Sequence, residues 1–148
     1  QLQDLFGGRA YEWVAVGGRV AQGSVQPVSR EDGSGTRAAF EALVMGDQPV
    51  TPLAVVAPSP QAVVEYVAGH SQALGYVSMD QVTPGVKVLR IEGELPTPET
   101  ASQGSYPLSH ELWVVTVDPP PEAVRGFLDF VRGPAGQQIV GQSFGRIK

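Results

Sequence analysis

The sequence predicts an α/β fold. Segments whose apolar residues recur at helical spacing alternate with short apolar runs of strand type. Serines and glycines stand where those helices should start and stop. The chain has 148 residues, 42% hydrophobic and 17% charged, which suffices for one domain of ordinary size with a core.

Taken in order, "LQDLF" followed by Gly7-Gly8 reads as a short helix with a glycine stop. "YEWVAVGGRVAQGS", residues 11–24, reads as loop. "VQPVS", Val25 to Ser29, is extended, with Pro27 suited to a strand's edge or its first residues. A Gly-Ser turn leads into a helix from about Gly35 to Met45. Ala39, Phe40, Leu43 and Val44 form its apolar face, and Gly46 stands at the C-terminal cap. "PLAVVAP" is a short apolar run. Ser59 then suits an N-cap and Pro60 the first position of a helix carrying Val63, Val64 and Val67, closed by Gly69.

Further on, "ALGYVS" (Ala73–Ser78) and "VKVLRIEG" (Val86–Gly93) read as strands. "ELPTPETASQGSYPLS" is a Pro/Ser-rich connection, and "ELWVVTV" has the strongest strand pattern in the chain. A helix is predicted from about Pro121 to Arg132, with Val124, Phe127, Leu128 and Val131 at helical spacing. "PAGQQIVGQSFG" predicts a final short helix. No internal repeat is present.

Composition narrows the function. No apolar run reaches the ~18–20 residues of a membrane span. Net charge is −5 with the acids scattered, which argues against nucleic acid as a partner while leaving room for one local anion site. Cysteine is absent, so disulfides and thiolate metal sites are excluded. His70 and His110 are the only imidazoles, and neither a metal nor a cofactor is expected. "QLQDLFGG" has neither the basic region nor the long apolar stretch of a secretory leader. The expectation is therefore a mature form, a fragment or a cytosolic chain.

The stretch with the most chemistry is "SREDGSGTRAAFEALVMG", Ser29 to Gly46. A strand feeding a Gly-Ser turn and then a helix is a recurring anion site, because the first-turn N–H groups and the helix dipole both face the ligand. Gly33 and Gly35 permit close backbone approach, and Ser34 and Thr36 add hydroxyl donors. Arg30 can supply a bidentate guanidinium fork to a tetrahedral oxyanion. Asp32 can orient Arg30 through a salt bridge, or accept a proton from a protonated oxyanion. Arg37 is the oddity, a cation in the first helical turn where the dipole disfavours it. By pattern alone the same residues serve equally as a surface turn with Ser34 as N-cap. The P-loop spacing G-x-x-x-x-G-K-[ST] is absent, which argues against nucleotides.

These residues carry a resemblance. "SREDGSGTRAAFE" resembles the signature of the PstS-like phosphate-binding proteins of ABC transporters, within the periplasmic binding protein superfamily. The likeness extends through "LQDLFGGRAYEWVAVGG", "QALGYVS", "VLRIEGELPTPETASQGSYPLSHELWVVT" and "FLDFVRGPAGQQIV", covering nearly the whole chain in order. It implies a periplasmic-binding-protein-like lobe, a mixed sheet flanked by helices, with phosphate held in a cleft between two lobes. Residues 1–109 would form the second, anion-binding lobe, and 110–148 a returning strand and C-terminal helices. Arg30, Ser34, Gly35 and Thr36 match the phosphate contacts of that lobe. Asp32 matches the acid paired with the arginine, and Gly33 and Arg37 stand beside them as supporting residues.

The resemblance further implies inorganic phosphate or a similar oxyanion as ligand and an ABC transporter permease as partner. It implies a periplasmic or extracytoplasmic location, with any membrane anchor carried by a segment outside this chain. The chain is about half the family's usual length, so a missing first lobe or a second copy would complete the site. His110 replaces an arginine usual after "YPLS" and is assigned no role. Two alternatives stay open: a signalling or protein-interaction module on the same fold, and a receptor for sulfate, molybdate or tungstate.

Other residues read as structural. Trp13 is expected to pack a loop and Trp113 to sit in a core strand. His70 follows a helix end, a favourable place for an imidazole. Glu92 and Glu94 read as solvated turn residues, and no histidine is placed to activate Ser34 as a nucleophile. An enzyme is not expected.

Overall fold

The structure, a computed structural model, describes residues 1–18 and 23–147. The chain divides into two compact units, Gln1–Val88 and Leu89–Lys148. In the first, helix α1 (Leu2–Phe6) stops at Gly7, as the glycines predict. A single 3₁₀ turn, Trp13–Val16, interrupts the stretch expected as loop, and residues 19–22 of that stretch lie outside the described residues.

Strand β1 (Gln26–Arg30) leads into helix α2 (Gly35–Phe40), which runs on as a π-helical turn, Glu41–Met45. Strand β2 (Val55–Ala57), helix α3 (Pro60–Gly69) and strand β3 (Ala73–Gly75) complete the layer. Ser59 caps α3 as expected, its hydroxyl accepting the Ala62 N–H at 3.1 Å.

The sheet order is β2-β1-β3. Both pairings are parallel, with Val28 opposite Val55 and Gln26 opposite Ala73. Among the described residues the sheet is thus wholly parallel, where a mixed one was expected. Each connection carries a helix, α2 between β1 and β2 and α3 between β2 and β3, and such crossovers return the chain in the same direction. Pro27 fits although β1 is central: pairing with β2 begins only at Val28, one residue later.

Central β1 is buried from Pro27 to Arg30, as a strand with covered faces must be. Leu5, Phe6, Phe40, Met45 and Leu74 form one buried cluster, and Val28, Ala57 and Val63 another. Gly75 explains the tight seat of α3, since a Cβ there would meet Val63 Cγ1 at 2.6 Å. Trp13 packs against the first cluster, in keeping with its expected role.

Two predicted strands do not form. Val86–Gly93 is irregular apart from a bridge between Ile91 and Glu94, which closes over Glu92 and Gly93, both at positive φ. "ELWVVTV" is irregular and exposed: Leu112 is 74%, Trp113 80% and Val115 88% exposed. Trp113 is therefore not a core residue of this structure. A strand pattern becomes a strand only where a neighbour supplies the ladder, and none of the described residues does so here.

The second unit is helical. Helix α4 (Pro98–Gln103) has a capping box between Thr97 and Thr100, and α5 (Glu122–Arg132) packs on α6 (Pro134–Val140). The Arg146 N–H donates to Ser102 Oγ at 2.7 Å, tying the C-terminal residues to α4. All the buried hydrophobic side chains among the described residues belong to the first unit. Phe127 and Phe130 of amphipathic α5 stay about half exposed.

Candidate functional site

The site is built where β1 ends and α2 begins. Arg30 is the last residue of β1 and is buried, while Glu31 to Gly33 make the turn. Gly33 has φ +85°, a conformation that a side chain strains, so glycine is required there by the backbone. Ser34 is the N-cap of α2: its Oγ accepts the Arg37 N–H at 3.3 Å, and its carbonyl accepts the Ala38 N–H. The surface-turn reading of Ser34 is thus correct as local structure.

That cap is compatible with ligand binding. A hydroxyl accepting one bond keeps its own proton to donate. The N–H groups of Gly35 and Thr36 lie in the first turn, ahead of the first intrahelical bond, and so have no intrahelical acceptor. A Cβ built on Gly35 meets no protein atom within 4 Å, so packing in this chain does not demand the glycine.

A cavity of about 200 Å³ opens over this turn, lined by Asp32, Gly33, Ser34, Gly35, Arg37, Ala38 and Glu41. Of the predicted residues it gathers Asp32, Gly33, Ser34, Gly35 and Arg37. Arg30 and Thr36 are adjacent in the chain but outside the lining.

The ion pairs differ from the pairing expected for Asp32. Arg30 Nε and Nη2 donate to the two oxygens of Glu31, each at 2.8 Å. Asp32 instead lies 2.6 Å from Arg37 Nη1. Arg37 Nε also donates to Glu41 at 2.8 Å, and Nη1 donates to the Arg30 carbonyl at 3.0 Å. Two carboxylates and a carbonyl therefore hold Arg37, which resolves its awkward place in the first helical turn. The hydrogen bonds to Arg30 hold the Glu31 carboxyl below its usual range, and Glu31 in turn raises Arg30. The bond to Glu41 likewise raises Arg37.

Beneath the turn, Tyr76 fixes the end of β1. Its hydroxyl lies 2.7 Å from Ser29 Oγ and accepts the Arg30 N–H at 3.3 Å. Its ring stacks on Phe40 of α2, with centroids 4.1 Å apart and planes 6° from parallel. Phe6 meets Phe40 edge-on at 4.6 Å. One aromatic cluster thus joins the strand that carries Arg30 to the helix that carries Gly35.

Glu31, Glu41 and Tyr76 are the residues that sequence reasoning missed. Glu41 stands four residues after Arg37, a spacing that pairs charges on a helix and could have been found. Tyr76 carries no local signal, because its partners lie 46 and 47 residues away. His70 does what a helix-end imidazole often does, with its Nδ1 2.8 Å from the Tyr66 carbonyl and its ring stacked on Tyr66. Among the described residues no group of three or more His, Asp or Glu is placed to hold a metal ion.

A parallel αβα layer whose central strand ends in a polar turn at a helix N-terminus is the architecture of a ligand-binding lobe. The model of the PBP superfamily domain matches residues 1–134, and the chain belongs to that superfamily. It is 33% identical over 128 residues to the phosphate-binding protein PstS 2 of Streptococcus pneumoniae TIGR4, covering 81% of this chain and 44% of that protein.

Among solved structures it resembles a Clostridium perfringens protein described as a phosphate ABC transporter substrate-binding protein with bound phosphate. The TM-score is 0.85 at 30% identity, over 100% of this chain and 61% of that one. An ABC-type phosphate transport receptor from Vibrio cholerae gives 0.78 at 27% identity, over 100% and 62%. The chain thus spans less than half the length of the Streptococcus relative. Among the described residues no helix is long and apolar enough to cross a membrane.

Proposed function

We propose that this chain binds inorganic phosphate at Arg30, Ser34, Gly35 and Thr36, as the substrate-binding component of a phosphate ABC importer or as part of one. The observation that carries the reading is the β1–turn–α2 junction. Two first-turn N–H groups without an intrahelical acceptor and the Ser34 hydroxyl lie together there, next in the chain to a buried arginine, in a chain that superposes over its full length on a phosphate-bound relative. Tetrahedral oxyanions suit such a donor set. The reading is of a binding protein, not an enzyme.

Residues 1–109 would act as one lobe, with 110–148 as a returning strand and helices that complete another. The exposed row Leu112–Val117 and the half-exposed Phe127 and Phe130 support this, since they are apolar surface awaiting a cover. A first lobe supplied by further chain is the favoured cover, because the solved relatives extend well beyond the matched part. A permease partner and an extracytoplasmic location follow from the same kinship.

The same apolar surface favours a second reading, a protein-interaction module that has lost transport, in which a second copy or a partner protein covers it. Sulfate, molybdate or tungstate are the competing anions.

Calorimetric titration with phosphate and then sulfate, at low ionic strength, tests the assignment. Phosphate binding that Arg30→Ala weakens at least tenfold is expected. Unchanged affinity in that variant would sink it.

A further inference from the structure

The guanidinium of Arg30 is nine-tenths buried and already half used. Its side chain is 9% exposed, and its Nε–Nη2 edge is filled by both oxygens of Glu31 at 2.8 Å. A guanidinium carries five N–H donors in one plane, so a carboxylate on that edge leaves the Nη1–Nη2 end. Among the described residues Nη1 makes no hydrogen bond, while the backbone on either side is pinned. The Arg30 N–H donates to Tyr76, and the Arg30 carbonyl accepts from Arg37. Asp32, the neighbour whose spacing suggests it as the orienting acid, is drawn off to Arg37 at 2.6 Å.

We infer that Glu31 is a positioning residue for the oxyanion. By seating on the side edge of Arg30 it fixes the plane of the guanidinium and leaves only the Nη1–Nη2 end to be offered to the ligand. The inference rests on the phosphate reading above and deepens it. Freed from Glu31, Arg30 keeps its charge but regains its side-chain rotamers, and binding must then order the fork each time. Lost orientation outweighs the relief of one nearby negative charge, because Glu31 is partly exposed and its repulsion of the ligand is screened.

The test uses the 148-residue chain with inorganic phosphate as the probe. Affinity is read by calorimetry in the parent, Glu31→Gln, Glu31→Asp, Arg30→Ala and the Arg30→Ala/Glu31→Gln double variant. Glu31→Gln is expected to weaken phosphate about tenfold, the scale of one net charge-assisted hydrogen bond. Glu31→Asp should recover part of that loss. In the Arg30→Ala background Glu31→Gln should add nothing, since no fork remains to be positioned.

Equal or tighter binding by Glu31→Gln would overturn the inference, and so would an equal loss in the Arg30→Ala background. If Arg30→Ala itself leaves phosphate affinity unchanged, or the parent binds no phosphate, the proposed function falls and takes the inference with it. The Arg30 Nε–H resonance in a ¹⁵N spectrum reports the pair without any ligand. It should be protected from solvent exchange in the parent and lose that protection in Glu31→Gln, and an unprotected parent signal would also overturn the assignment.

Discussion

Tyr76 and Ser29 meet through their hydroxyl oxygens at 2.7 Å, joining β1 to the chain just after β3, 47 residues further on. Ser29 is 2% exposed, so water cannot readily replace the tyrosine as its partner. Because the same hydroxyl also accepts the Arg30 N–H, this contact sets where the arginine leaves the strand.

Tyr76→Phe should therefore keep the stack on Phe40 while stranding Ser29 Oγ and the Arg30 N–H. A loss of about 1–3 kcal/mol is expected, the scale for a buried polar group left without a partner. Chemical denaturation measures it. Phosphate affinity should fall with it if the end of β1 presents Arg30; a stability loss with binding intact would separate the two.

Ser34 holds two roles that substitution can part. Ser34→Ala removes the cap and should lower stability by about 1 kcal/mol. Ser34→Asp restores a good cap, and its charge is favourable at a helix N-terminus. It also replaces a hydroxyl donor with a carboxylate that repels the anion. Thermal melts should thus place Ser34→Asp at or above the parent, while calorimetry finds phosphate binding lost.

The Arg30–Glu31 pair makes a prediction about pH. The folded-state pKa of Glu31 is depressed, so the pair contributes stability above the ordinary glutamate value of 4.5. That contribution is lost as pH falls through the depressed value. The stability difference between the parent and Glu31→Gln should accordingly be constant from neutral pH to about 5 and vanish only at more acidic pH. Denaturation curves across that range, with the ¹³Cδ shift of Glu31 as the local reporter, decide it.

Gly75 bears on how the α3 layer sits. Gly75→Ala places a Cβ 2.6 Å from Val63 Cγ1 and 3.3 Å from Val67 Cγ2. Overpacking of this kind costs about 1–3 kcal/mol. Pairing it with Val63→Ala should return part of the loss, and a melt series on the three variants checks that. Full additivity of the two losses would count against the contact.

Much of the first unit is legible in the sequence. Ser34 and Ser59 as caps, Pro60 at a helix start and Gly46 and Gly69 at helix ends rest on interactions within a few residues, and the structure has them in place. The Gly33-Ser34-Gly35 turn is local in the same way. The β1–turn–α2 junction is therefore written in local sequence.

The misplacements have a common cause. "ELWVVTV" has the pattern of a strand, yet a strand is a relation between two segments, and none of the described residues pairs with it. The pairing of Asp32 failed for a related reason. Spacing allowed it to reach Arg30, but Glu31 sits against the guanidinium and Arg37 competes for Asp32.

By itself, then, the sequence determined the α/β class, the caps and turns of the first unit and the loop that supplies an anion site, since these follow from short-range sterics and hydrogen bonding. Tertiary structure alone decided the parallel order β2-β1-β3, the seat of Tyr76 under Ser29 and Arg30, and which carboxylate holds which arginine. Those depend on residues far apart in the chain or on competition among several partners, and neither leaves a mark in local spacing.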